Sequence, residues 1–115
     1  MLDKIGIGVD IVDVKRFKEK QFKDNENFYK KIFRASEIEY CLNRKTSSQS
    51  FAAMFAIKES VIKSIDQQIN FLDIKIEHIN SKPFVTLLNN PSYSFLVSVS
   101  HENFLAVAVV ISEKC

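Results

Sequence analysis

Ile5-Gly6-Ile7-Gly8-Val9-Asp10-Ile11 alternates bulky aliphatic residues with two glycines and a carboxylate, the period of two that predicts a β-strand. One face of this strand is aliphatic; the other carries almost no side chain before Asp10. A backbone so bared lets something come close. Either a ligand or cation approaches beside Asp10, or a helix crosses the strand and Asp10 merely caps the next helix. Gly6 and Gly8 are the only glycines in the 115 residues, where average usage of about 7% would supply roughly eight. The phosphate loops GxGxxG and GxxxxGK[ST] are both missing. Phosphate binding must therefore come from side chains, a metal or ordinary backbone amides.

Beyond this strand, residues 13–20 and 25–33 read as basic helices. Ser36-Glu37-Ile38-Glu39 is an S-x-x-E capping box that opens a short helix over 36–42. After a polar loop at 43–49, residues 48–65 form the strongest helical pattern, with Phe51, Met54, Phe55, Val61, Ile62 and Ile65 on one broad apolar face. Leu72, Ile74 and Ile76 then alternate with polar residues, and Asn80-Ser81-Lys82-Pro83 turns the chain into a strand at 84–88. The runs 95–101 and 105–111 form a hairpin across Glu102-Asn103-Phe104. One strand, several helices, then four strands make a single α+β domain over residues 1–115.

Apolar residues make up 46% and charged residues 26%, which excludes a disordered or fibrous chain. A chain this short buries only about two-thirds of its unfolded surface, so packing between subunits would help it. The net charge of +2 is too small for a nucleic-acid binder. Residues 15–34, however, hold eight bases and three acids, a local net of +5. That segment is either a solvated helix face or a docking surface for an acidic partner. Cys41 and Cys115 form neither a disulfide framework nor a CxxC pair. With no signal-peptide pattern and no apolar run long enough to span a bilayer, a cytoplasmic protein without membrane attachment is expected.

Besides the Asp10 strand, two stretches could carry chemistry, residues 55–63 and 98–101. Lys58 falls inside the apolar sector of its helix, so it either snorkels past that face or reaches a buried anion. Glu59 and Lys63 share a stripe with Ala52 and Ala56, as an i,i+4 surface pair or as part of a site that another element approaches closely. Ser98-Val99-Ser100-His101 either lines a polar pocket or forms a solvent-facing strand edge. Together these fragments say more than each alone. Two carboxylates on separate elements, Asp10 and Glu59, are what Mg²⁺ commonly takes from protein. A lysine one turn beyond the glutamate neutralises phosphate charge. The constellation reads as metal-assisted transfer from a diphosphate, with a small Mg²⁺ phosphohydrolase as a weaker variant.

The sequence resembles the holo-acyl-carrier-protein synthase family of 4′-phosphopantetheinyl transferases over nearly its whole length. The motifs stand in the family's order: Gly-Ile-Gly-Val-Asp-Ile-Val at 6–12 with Lys15-Arg16; Phe33 with Glu37-Ile38-Glu39-Tyr40-Cys41; Phe55-Ala56-Ile57-Lys58-Glu59-Ser60 with Lys63; and Ser98-Val99-Ser100-His101 with Ala106 and Ala108. The resemblance implies a homotrimer with active sites between subunits. It also implies transfer of phosphopantetheine from coenzyme A to a serine of acyl carrier protein, releasing adenosine 3′,5′-bisphosphate, in fatty acid biosynthesis. Asp10 and Glu59 match the Mg²⁺ ligands, and Lys63 matches the lysine on the diphosphate. Lys58, Lys63, Ser98, Ser100 and His101 are expected to hold coenzyme A, and Arg16 and Lys20 to meet the acidic carrier. The chain departs from the family at Met54, where an arginine is usual, and at Ile65-Asp66-Gln67-Gln68, where a Gly-Thr-Gly loop is usual. Those departures locate where its coenzyme A contacts differ, and they motivate an alternative: a catalytically impaired trimer that binds the carrier.

Overall fold

Gly6 and Gly8 make room for a helix. In the computed structural model, which describes residues 2–115, both lie in strand β1 (Ile5–Asp13). Helix α4 (Ser47–Ser64) crosses directly over them. A Cβ on Gly8 would collide with the carbonyl oxygen of Ser60, and one on Gly6 with that of Ser64. Hydroxyls complete the seam: Ser60 Oγ donates to the Ala108 carbonyl at 3.2 Å and Ser112 Oγ to the Ser64 carbonyl at 2.9 Å. Small residues thus hold helix and sheet at backbone contact, which fixes what the helix presents beside Asp10.

The other elements are α1 (Lys15–Glu19), α2 (Glu26–Lys30), α3 (Ala35–Leu42), β2 (Ile74–Ile79), β3 (Lys82–Leu87), β4 (Tyr93–His101) and β5 (Leu105–Lys114). β1, β5 and β4 form an antiparallel sheet in that spatial order, and β2 and β3 pair as a separate hairpin. The expected α+β architecture is present, with strand, helices and strands in the expected sequence. On the side of α4 away from the sheet, Phe17, Tyr29, Phe33 and Phe51 form a buried aromatic cluster, with Tyr29 and Phe51 ring centroids 4.7 Å apart. The basic segment at 15–34 is therefore amphipathic: its aromatic residues anchor it and its lysines face outward. Tyr29 donates its hydroxyl proton to the Lys20 carbonyl, and burial pushes its phenol up to about 12.

Three local features differ from the sequence reading. The helices expected over 13–20 and 25–33 are shorter and separated by a 3₁₀ turn at Phe22–Asp24. Helix α3 begins at Ala35, and Glu37, not Glu39, accepts the capping N–H, from Arg34 at 2.7 Å. Glu37 is also the buried partner of Ile76 N–H and of Lys58, so tertiary bonding decides which glutamate caps. The β2–β3 hairpin turns on two left-handed residues, Asn80 (φ 52°) and Ser81 (φ 67°). That is the two-residue I′ geometry, and the strand resumes at Lys82, earlier than residue 84.

The aliphatic side of β1 remains uncovered. Ile7, Val9 and Ile11 face away from α4, in register with Ile111, Val109 and Val107 of β5 and then Leu96, Ser98 and Ser100 of β4. Ile7 is 68%, Ile11 64% and Leu96 71% exposed. Among the described residues no helix is long and apolar enough to cross a membrane.

Candidate functional site

Asp10 lies on the β1 face that carries α4, two residues beyond Gly8. Because the glycines draw α4 down onto the strand, the last two turns of the helix pass beside that carboxylate. Lys63 Nζ is 3.0 Å from Asp10 Oδ1 and donates to the Val9 carbonyl at 3.1 Å. The Asp10 side chain is 16% exposed and that of Lys63 51%. Glu59 stands one turn before Lys63 and is half-buried. Burial first, and then the negative charge of Asp10, raise its carboxyl pKa, while Lys63 and Arg16 pull it down. Arg16 completes the group from α1, its guanidinium 4.9 Å from the centre of the Phe55 ring. The structure therefore brings Asp10 of β1 and Arg16 of the adjoining α1 together with Glu59 and Lys63 of α4, which is distant in sequence.

Two carboxylates on neighbouring elements, one of them carrying the negative charge that Glu59 feels, form a donor set suited to a hard divalent cation. The Lys63 ammonium already sits on one of those oxygens as a positive stand-in. The residues present fit Mg²⁺, with Asp10 and Glu59 as the protein ligands and the remaining positions left for water and phosphate oxygens.

Lys58 is corrected. It was expected to hold coenzyme A, but its side chain is 0% exposed and paired with Glu37 in the core, apart from the Asp10 cluster. Its ammonium lies 2.7 Å from Glu37 Oε1 and donates to the carbonyls of Ile32, Phe71 and Ile74 at 2.9–3.0 Å. Of the two outcomes open to a lysine in an apolar sector, this is the buried anion. Burial pulls its pKa down and Glu37 opposes that pull.

Ser98, Ser100 and His101 stand apart from Asp10. Ser98 and Ser100 are on β4, the far edge of the sheet, and on its outer face, so they are two strand spacings, roughly 10 Å, from β1 and on the other side of it. His101 is on the inner face, its Nδ1 2.9 Å from Gln49 Oε1. Gln49 lies in the first turn of α4, about 15 Å along the helix from Glu59. The three residues line a cavity of about 860 Å³ whose wall also includes Met54, Arg44, Lys82 and His78. Sequence reading did not single out Arg44 or Lys82; both are cations at that cavity and would have been found as bases flanking turns. Met54 is buried, its sulfur 3.6 Å from Cys41 Sγ. His78 stacks on Tyr40 with ring centroids 3.9 Å apart.

The model of the 4′-phosphopantetheinyl transferase superfamily matches residues 6–110. The chain is 38% identical to the holo-[acyl-carrier-protein] synthase of Mycoplasma capricolum, across 93% of each chain. It is 36% identical to that of Caldicellulosiruptor saccharolyticus, across 94% of this chain and 95% of the relative. Among solved structures it resembles the Helicobacter pylori holo-[acyl-carrier-protein] synthase in complex with coenzyme A, with a TM-score of 0.77, 32% identity and coverage of 93% and 99%. The Bacillus anthracis synthase, also solved with coenzyme A, gives a TM-score of 0.75 at 25% identity, with 96% of each chain covered. Motif order, the Asp10, Glu59 and Lys63 cluster, and these likenesses agree: the chain belongs to the 4′-phosphopantetheinyl transferase superfamily, with the holo-[acyl-carrier-protein] synthases, and is a phosphopantetheinyl transferase.

Proposed function

We propose that this chain, acting as one transferase domain, moves 4′-phosphopantetheine from coenzyme A to a serine of apo acyl carrier protein for fatty acid biosynthesis. The observation that carries the reading is the meeting of Asp10, Glu59 and Lys63 between β1 and α4. The serine Oγ bonds to the phosphorus that bears pantetheine and gives its proton to a general base: a water, the Glu59 carboxylate or a carboxylate of the carrier. The bond from that phosphorus to the bridging oxygen breaks, and adenosine 3′,5′-bisphosphate leaves with the oxygen. Asp10 and Glu59 would hold Mg²⁺, which supplies positive charge to the diphosphate. Lys63, half exposed on the rim, reaches the same phosphates and offsets the charge that builds on the leaving group. Arg16 and Lys20 stand on the basic segment, Lys20 with its ammonium 4.1 Å from the Phe28 ring centre, and offer an acidic carrier a complementary surface. Both cysteines are free, in keeping with a reducing cytosol.

Incubation with coenzyme A, Mg²⁺ and apo carrier should raise the carrier's mass by one phosphopantetheine. No mass gain where a reference transferase works would overturn the reading. Carrier binding without coenzyme A binding would instead favour the impaired alternative. Arg44 and Lys82 support retained binding, since they put positive charge on the cavity that Met54 lines.

The separation of the two half-sites supports an oligomer. Within one chain, Ser98 and Ser100 are on the opposite face and edge of the sheet from Asp10. A second copy packed on the exposed face of Ile7, Val9, Ile11 and Leu96 would set Ser98 and Ser100, which share that face, against a neighbouring chain. The family resemblance supplies the number three. Val9→Lys, which places an ammonium in that apolar face, is expected to cost roughly 3 kcal/mol or more per buried charge. Sedimentation should then fall from the trimer to the monomer mass, and transfer should be lost with it. A variant that stays trimeric and active would place the interface elsewhere.

A further inference from the structure

Asp10 already has a cationic partner. Its Oδ1 is taken by Lys63, whose ammonium is held a second time by the Val9 carbonyl. The oxygen that a cation would use is therefore already bonded. Lys63 lies in the last turn of α4, where the helix end favours a positive charge, and its side chain is 51% exposed, so solvent borders it. Arg16, the other base near Glu59, is engaged over Phe55. A doubly charged cation arriving at Asp10 would meet a like charge at hydrogen-bond distance from its ligand.

We propose that Lys63 is a tethered counter-cation. It occupies the Asp10 oxygen until the diphosphate of coenzyme A offers it a better partner, and only then is that oxygen released to the divalent cation. The inference rests on the reading of Asp10 and Glu59 as the cation's ligands. It follows by linkage that coenzyme A and the cation strengthen each other's binding by the same factor, and that Lys63 transmits part of this coupling. Without Lys63, the cation should bind the free protein more tightly and gain less from coenzyme A. An exposed ion pair contributes modestly, so the expected gain is about two- to fivefold.

Mn²⁺ titration followed by electron paramagnetic resonance, with and without coenzyme A, tests this on the intact protein. Lys63→Met and Lys63→Gln should each bind Mn²⁺ about two to five times more tightly than wild type when coenzyme A is absent. Lys63→Arg, which keeps the charge, should stay near wild type. Coenzyme A should tighten Mn²⁺ binding less in the two neutral variants. Equal or weaker Mn²⁺ affinity in both neutral variants would overturn the proposal. The site reading fails separately: if adding Asp10→Asn to Lys63→Met leaves Mn²⁺ affinity unchanged, the cation is not held at Asp10.

Discussion

Lys58→Met is expected to lower folding stability by about 3–5 kcal/mol, the cost of leaving a buried charge without its partner. Both side chains of the Glu37–Lys58 pair are 0% exposed. Removing the ammonium leaves a carboxylate in the core and strips a donor from three carbonyls, those of Ile32, Phe71 and Ile74. Glu37 would keep only the N–H groups of Arg34 and Ile76. Because these bonds reach α3, α4, β2 and the segments that precede α3 and β2, the loss loosens the support of α4 on several sides at once. Urea denaturation gives the number directly. Replacing both partners, as Glu37→Gln with Lys58→Met, should recover a large part of the loss, since it removes the orphaned charge as well as the bond. A loss under about 1 kcal/mol in the single variant would mean that the pair is not what ties these elements together.

Such a pair explains where sequence reading succeeded and where it stopped. Period and bareness made β1 legible, and the apolar face made α4 legible, because both are local patterns. A lysine in an apolar sector left snorkelling and a buried anion both open, and choosing between them, or naming the anion, requires knowing which element packs there. Glu37 and Glu39 are two residues apart. Only the fold says that Glu37 turns inward to Lys58 and Ile76 while Glu39 lines the surface. The same ignorance of packing governs β1 and β4. Alternation separates Ile7, Val9 and Ile11 from Gly6, Gly8 and Asp10, yet does not say which side this chain's own helix covers. The helix takes the glycine side, since only there can its backbone reach the strand. The aliphatic side is left exposed, and with it Ser98 and Ser100. The site motifs were therefore legible as residues, whereas their division between two sheet faces was not.

Glu59→Gln tests the chemistry with the least disturbance to the fold, because glutamine keeps the shape and removes the charge. Transfer should fall by about 10²–10⁴-fold, the usual scale for losing a group that binds the cation or moves the proton. Stability should move the other way or not at all. The Glu59 pKa is raised by burial and by Asp10, so the folded chain holds that proton more firmly than the unfolded chain does. For a raised carboxyl, stability falls as pH climbs through the window between the unfolded and folded pKa values, and at neutral pH the charge is a net cost. Removing it should leave the melting temperature at or above that of the wild type, as expected where a site is kept strained for function. Asp10→Asn should lose transfer on the same scale, but it also breaks the bond to Lys63, so its melting temperature need not rise. The decisive result is the pairing of the two readouts. A Glu59→Gln protein that melts no lower and no longer transfers locates the chemistry at the carboxylate pair. If it works within about tenfold of wild type, the pair is structural and the cation, if there is one, binds elsewhere.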